Sequence, residues 1–214
     1  MKAKVYRGTK EIGGTCIELM AENGKILWID LGSPLDTVNH DVGYANNRVD
    51  ALLISHPHQD HYGLMEKVGA EVPIYIGGLS LDLINATKLF IGEPQLIRNF
   101  ICIKPWSSFM IADTFNIMAY LTDHSTPEAF AFLIEADGKR VFYSGDFRAT
   151  GRKNKLYDSQ IKDPPRDINL LMIEGTMVER VNHRYPTEDS VEDAIYDIIK
   201  NQRNLSFVIS SAQA

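Results

Sequence analysis

Apolar residues concentrate in three early runs, Lys4 to Arg7, Thr15 to Ala21 and Ile26 to Leu31, which read as strands. Gly13-Gly14 joins the first two runs, and the Asn-Gly turn in Glu22-Asn23-Gly24-Lys25 joins the second and third as a hairpin. Residues 33 to 48, with Pro34, Asn39, Gly43, Asn46 and Asn47, read as a loop in which His40 is a solvated surface histidine. Val49 to Ile54 then reads as a buried strand that breaks into Ser55-His56-Pro57-His58-Gln59-Asp60-His61. Beyond it the pattern predicts a short helix from Gly63 to Val68, a strand from Pro73 to Ile76 and a helix from Leu79 to Phe90. Leu79, Leu83, Ala86 and Phe90 mark that helix's packed face.

Residues 92 to 112 have no clear period; Phe100 to Lys104 reads as a strand and Pro105-Trp106-Ser107-Ser108 as a turn. Phe115 to Leu121 alternates up to Thr122-Asp123-His124-Ser125 and is stopped by Thr126-Pro127. Ala129 to Ala136 and Arg140 to Tyr143 pair across Asp137-Gly138-Lys139 and deliver Ser144-Gly145-Asp146-Phe147-Arg148 at a strand end. Gly151 to Asp167, with Arg152, Lys153, Lys155, Lys162 and Arg166, reads as a basic loop available to a phosphate backbone. Asn169 to Ile173 is a strand ending in Glu174-Gly175-Thr176. Thr187 caps a helix through Asn201 with acids in its first turn, and Leu205 to Ile209 is a last strand.

The 214 residues, 44% of them apolar, suffice for one domain, or for one domain and the start of another. A formal net charge of -6 argues against nucleic-acid binding by bulk electrostatics. Two divalent ions would add about +4 locally and invert the sign where an anion docks. Cys16 and Cys102 have no C-x-x-C spacing and read as reduced, buried thiols. No apolar stretch approaches a membrane span and no signal h-region follows the first residues, so the expectation is a cytoplasmic protein with no membrane partner.

Chemistry concentrates in His56, His58, Asp60 and His61. Imidazole and carboxylate together suit a divalent ion, zinc first, with manganese or iron(II) as alternatives. A polar loop merely rich in histidine is the rival reading; the strand that runs into the motif favours metal. His124, at the end of a second strand, supplies the further ligand that two histidines from one loop require. Asp30 closes a hydrophobic strand and needs partners for its carboxylate.

The pattern His-x-His-x-Asp-His resembles the signature of the metallo-β-lactamase superfamily. The resemblance implies an α/β (α+β) chain folded as an αββα sandwich around a metal site, and leaves the substrate open. It makes Asp30 the aspartate that orients the histidine loop without being a ligand. Glu11-Ile12-Gly13-Gly14-Thr15 resembles the superfamily's glycine loop, a plain tight turn being the equal alternative. Phe142-Tyr143-Ser144-Gly145-Asp146 resembles its fourth motif, which implies that Asp146 bridges two metals and that Gly145 lets the backbone come close.

Three further features resemble the β-CASP nucleases, the RNase J and cleavage-factor branch. They are Asp123-His124-Ser125 with Pro127, Ser144 to Arg148, and Glu174-Gly175-Thr176 with Thr187-Glu188. This resemblance implies two-metal hydrolysis of phosphodiesters in RNA, or in DNA. His56, His58 and His124 would hold one ion, Asp60 and His61 with a downstream histidine the other, and Asp146 both. Glu174 is the branch's motif A acid, joining Asp60, His61 and Asp146 in the catalytic group, and Ser125 a donor to a phosphate oxygen. The branch carries an inserted β-CASP domain. Residues 1–203 are therefore expected to be the amino-terminal part of the sandwich, incomplete at its C-terminus, and residues 204–214 the start of the insertion. His183 does not replace the downstream histidine, and this stretch alone is expected to be inactive or impaired. The rival readings are a hydrolase of a small thioester, lactam or phosphodiester and a non-catalytic metal-holding module. Oligomeric state stays open.

Overall fold

The computed structural model describes residues 1–35, 48–178 and 187–202. Strands β1 (Lys2–Arg7), β2 (Cys16–Met20), β3 (Ile26–Ile29), β4 (Ala51–Leu53), β5 (Ile74–Gly77) and β6 (Phe100–Ile103) form one six-stranded sheet in sequence order. The first two pairings are antiparallel and the rest parallel. Strands β7 (Ser108–Ile111), β8 (Phe115–Leu121), β9 (Phe130–Ala136), β10 (Lys139–Tyr143) and β11 (Leu170–Met172) form a second sheet, ordered β11-β10-β9-β8-β7.

Side-chain alternation stacks the two sheets. Leu27, Ile29, Ala51 and Leu53 turn one way, into a shared core with Phe115, Ile117, Phe130, Phe132 and Ile134. Trp28, Leu52 and Ile54 turn the other way, joining Tyr62, Met65, Ile74, Ile76 and Ile84 on the outer face of the first sheet. Helix α1 (Gln59–Tyr62), a 3₁₀ turn (Met65–Lys67) and helix α2 (Gly78–Phe90) cover that face. The predicted Gly63–Val68 helix is only the 3₁₀ turn at Met65–Lys67, and the separate helix α1 begins before it, inside the histidine motif.

The packed face of α2 differs from the one its apolar period suggested. Ser80 and Ile84 are buried, whereas Leu79 and Phe90 are 54% and 89% exposed. Glu128 sets this rotation, since its carboxylate accepts the Leu79 N–H at 2.8 Å and its carbonyl accepts the Ser80 hydroxyl at 3.0 Å. The Gly151–Asp167 stretch is not all loop, because Asn154–Lys162 forms helix α3. Cys16 is buried as expected, but Cys102, on edge strand β6, is exposed, and both are free. His40, His183 and the predicted strand at residues 205–209 lie outside the described residues.

Helix α4 (Glu188–Asn201) begins at Thr187, whose hydroxyl oxygen accepts the Ser190 N–H at 3.2 Å. No α4 residue is buried, and Val191, Ile195, Ile198 and Ile199 form an exposed apolar stripe at helical spacing. Thr187→Ala is expected to weaken this first turn by about 1 kcal/mol, measured as faster hydrogen exchange at Ser190 with little change in Tm.

Candidate metal centre

Topology brings the chemical groups to one edge. Strands β3 and β4 run parallel in the first sheet; in the second, β8 and β10 share one direction and β11 is parallel to β10. The C-terminal ends of these strands lead to Asp30, His56, Thr122–His124, Asp146 and Glu174. The Phe130 N–H, donating to the Ser55 carbonyl at 3.0 Å, ties the sheets together at this edge.

Helix α1 carries Asp60 and His61 and is fixed by its backbone. Its carbonyls accept N–H groups from Thr15 (to Asp60, 3.0 Å), Leu31 (to His61, 2.7 Å) and Ser33 (to Gln59, 2.8 Å). Gly32 makes this approach possible, since a Cβ there would overlap the Asp60 carbonyl. The turn after Gly13-Gly14 therefore supports the histidine motif through Thr15.

Four imidazoles cluster at this edge, with ring centroids 4.1–4.8 Å apart. His58 Nδ1 lies 3.1 Å from His56 Nε2 and 3.1 Å from His124 Nε2. On the other side, His61 Nε2 lies 3.4 Å from Asp146 Oδ1 and 3.7 Å from Asp60 Oδ2. The second Asp146 oxygen faces the first group, 4.0 Å from His56 Nε2 and 3.9 Å from His124 Nε2. One carboxylate therefore looks at both sets of donors. Gly145, with φ +55°, permits the turn that brings it there, where a Cβ would overlap the Phe130 carbonyl.

Asp30 is the hub beneath. Fully buried, it accepts the Ser55 N–H at 2.7 Å, the Ser55 hydroxyl at 2.8 Å, the Tyr143 hydroxyl at 2.7 Å and His61 Nδ1 at 2.8 Å. Ser55 Oγ also lies 3.0 Å from His56 Nδ1, so Asp30 governs two histidines, one directly and one through Ser55. Sequence reasoning placed Asp30 here and missed Ser55 and Tyr143. Both lie inside the quoted motifs, Ser55 two residues past β4 and Tyr143 at the end of β10, and their place at those strand ends was the available signal.

Electrostatics divides the histidines. Burial, then the neighbouring imidazoles, holds His56 well below its ordinary pKa, and burial likewise lowers His58. Burial, His58, His61, Arg148 and Lys153 bring His124 down to about 3. His61 is the exception: burial pulls it down, but Asp30, Asp146 and Asp60 outweigh that and raise it to about 9. Asp146 is raised to about 6, by burial and by the charges of Glu174, Asp60 and Asp30, against the opposing pull of His61.

This donor set fits divalent metal. His56, His58 and His124 form one group, and His56, His61 and Asp146 another, each with candidate ligand atoms within 4.8 Å of one another. Two imidazole nitrogens crowd His58 Nδ1, and one proton cannot satisfy three lone pairs aimed at the same region. An ion can, and neutral imidazoles are the form that binds it.

Two predicted residues sit beside these groups. Glu174 is half-buried and accepts the Phe147 N–H at 2.7 Å. Ser125 is exposed, its hydroxyl 3.4 Å from His58 Nε2. The basic segment is occupied in part within the chain: Arg152 pairs with Glu192 and Lys153 donates to the Thr126 carbonyl, while Arg148, just before the segment, pairs with Glu188. Those three cations are already engaged, which weakens the expected phosphate contact.

Residues 31–195 match the β-lactamase superfamily domain. The chain belongs to the metallo-β-lactamase superfamily. Within it, the chain is 28% identical over 185 residues to an RNase J-like protein of Methanocaldococcus jannaschii, covering 81% of this chain and 42% of that one. It is 26% identical over 174 residues to ribonuclease J of Mycoplasma genitalium, covering 78% of this chain and 28% of the relative. The chain thus spans less than half the length of either relative, and its likeness is to the RNase J-like, β-CASP branch. A crystal structure of a protein of unknown function from Enterococcus faecalis V583 superposes with a TM-score of 0.75 at 19% identity, over 93% of this chain and 57% of that one. The metallo-β-lactamase fold is therefore present, with a hydrolase family's histidine–aspartate cluster in place. Among the described residues, no helix is long and apolar enough to cross a membrane.

Proposed function

We propose that this superfamily member is a cytoplasmic nuclease that hydrolyses phosphodiester bonds in RNA, with DNA the less favoured substrate, at two divalent ions, zinc first. The observation that carries this reading is the Asp146 carboxylate, with one oxygen toward His61 and the other toward His56 and His124. In this reading His56, His58 and His124 hold one ion, Asp60 and His61 the other, and Asp146 spans both. Bound there, divalent ions supply Lewis acidity and lower the pKa of water.

The chain's own groups do the rest. Asp30 keeps the His61 Nδ1 proton engaged and leaves Nε2 turned to the site. Glu174 holds the backbone just after Asp146 through the Phe147 N–H, and its charge bears on Asp146. Ser125, exposed at the rim, donates to a phosphate oxygen or to His58. The relatives named ribonuclease J and RNase J-like support RNA as substrate. The domain division proposed with this reading is the expected one, residues 1–203 as the sandwich portion and 204–214 as the start of a β-CASP domain, the latter lying outside the described residues.

The test is metal analysis of the full natural chain together with turnover of RNA, single-stranded DNA, a thioester and a lactam. About two ions per chain and RNA cleavage that a chelator abolishes are expected. Turnover of the thioester or lactam with none on RNA overturns the nuclease reading, and absence of bound metal overturns the metal centre.

A further inference from the structure

We propose that Arg148 is a positioning residue for His124, acting through a clamp with Asp123 and Gly151 and braced by Glu188 at the start of α4. The proposal rests on the reading of His124 as a ligand. Three histidines of the cluster have a side chain that orients the ring: Asp30 for His61, Ser55 for His56 and Ser125 for His58. Among the described residues, the polar groups near the His124 ring are other members of the cluster, His58 and Asp146. Its placement must therefore come through its main chain.

That main chain is held by residues 148–153. The Arg148 N–H donates to the Asp123 carbonyl at 2.7 Å, and Arg148 Nη2 reaches the His124 carbonyl at 3.4 Å. Lys153 Nζ donates to the Thr126 carbonyl and lies 3.5 Å from that of Pro127. Beneath them, the Asp123 carboxylate is buried, a location that demands partners. Its Oδ2 accepts the Gly151 N–H at 2.8 Å. Its Oδ1 faces Arg148 Nε at 3.6 Å, and neither of those two atoms has a hydrogen bond. A Cβ at residue 151 would overlap Asp123 Oδ1 and crowd the guanidinium, so glycine is what lets the two meet.

The clamp is anchored from outside by α4. Glu188 pairs with Arg148 Nη2 and also accepts the Arg152 N–H at 3.0 Å, while Arg152 pairs with Glu192 one turn later. An isolated surface ion pair contributes little. Here one guanidinium touches an acid on α4, the buried Asp123 and the carbonyl of His124 itself. Arg148 thereby links the first turn of α4 to one candidate ligand.

The full natural chain provides the test, read first without metal. Arg148→Ala is expected to accelerate hydrogen exchange at the Gly151 amide and to shift the His124 ring resonances. It is also expected to weaken zinc affinity, measured by chelator competition, by about 10–100-fold and to change the Co(II) absorption spectrum. Arg148→Lys keeps the charge without the planar fork and should restore only part of each effect. Glu188→Gln should act in the same direction, more weakly, and serves as the readout if Arg148→Ala does not fold. Unchanged Gly151 exchange and unchanged His124 resonances in the folded variant overturn the clamp. If the wild-type chain takes up no zinc, the ligand reading falls, while exchange and ring resonances still decide the clamp.

Discussion

Asp30→Ala is expected to lower the unfolding free energy by about 3–5 kcal/mol at neutral pH, because it removes the shared acceptor of four buried donors. Asp30 accepts hydrogen bonds from Ser55 twice, from Tyr143 and from His61, and none of the four residues is exposed. Asp30 also has a φ of 57°, a conformation that costs alanine roughly 1–2 kcal/mol. Asp30→Asn removes the backbone objection but turns an amide NH₂ toward donors, so it is expected to recover only part of the loss.

The effect has a pH signature in metal-free protein. The folded pKa of His61, about 9, lies above its ordinary 6.5, and Asp30 is the largest favourable cause. The stability this supplies is complete below about pH 6.5 and is lost as pH rises through about 9. The gap between wild type and Asp30→Ala should therefore narrow across that window, as followed by urea unfolding at several pH values. A constant gap of under about 1 kcal/mol, no more than a typical single hydrogen bond, would contradict the hub.

What could be read in advance follows from how local each signal is. His56, His124 and Asp146 stand where apolar strand runs stop, and the break from strand to turn lies within a few neighbouring residues. The four-residue α1 is too short for periodicity to show, and Thr15, Leu31 and Ser33, not its own sequence, hold it. The rotation of α2 depends on Glu128, 48 residues beyond Ser80, so a window over the helix could not choose Ile84 over Leu79. Helix α3 was hidden for a different reason. It buries none of its residues, and Tyr157 stacks on Phe147 with ring centroids 6.0 Å apart, a contact without a hydrophobic period. The strand ends that carry the chemistry were legible; the partners that aim it, Ser55, Tyr143, Asp123 and Arg148, emerge only once the two sheets meet.

Asp146→Asn separates the two demands that meet at this edge. Without metal, Asp146 is a liability: burial and the charges of Glu174, Asp60 and Asp30 raise it to about 6 despite His61. An acid whose pKa is higher in the folded than in the unfolded state destabilises the fold progressively as pH rises from about 4 through about 6. A shift from 3.8 to about 6 corresponds to roughly 3 kcal/mol, to order of magnitude, with the side chain 26% exposed. Metal-free Asp146→Asn should therefore be more stable than wild type at pH 7, by up to about that amount, and indistinguishable from it below about pH 4. With metal the order reverses. The neutral amide gives up the charge that faces both donor groups, so ion stoichiometry should fall. Hydrolysis should drop by roughly a thousandfold, the equivalent of about 4 kcal/mol of transition-state charge stabilisation. Melting curves with and without zinc, paired with metal analysis, read both halves. A variant that loses stability without metal, or keeps two ions and full activity with it, would show that Asp146 does not carry the strain and the bridge together.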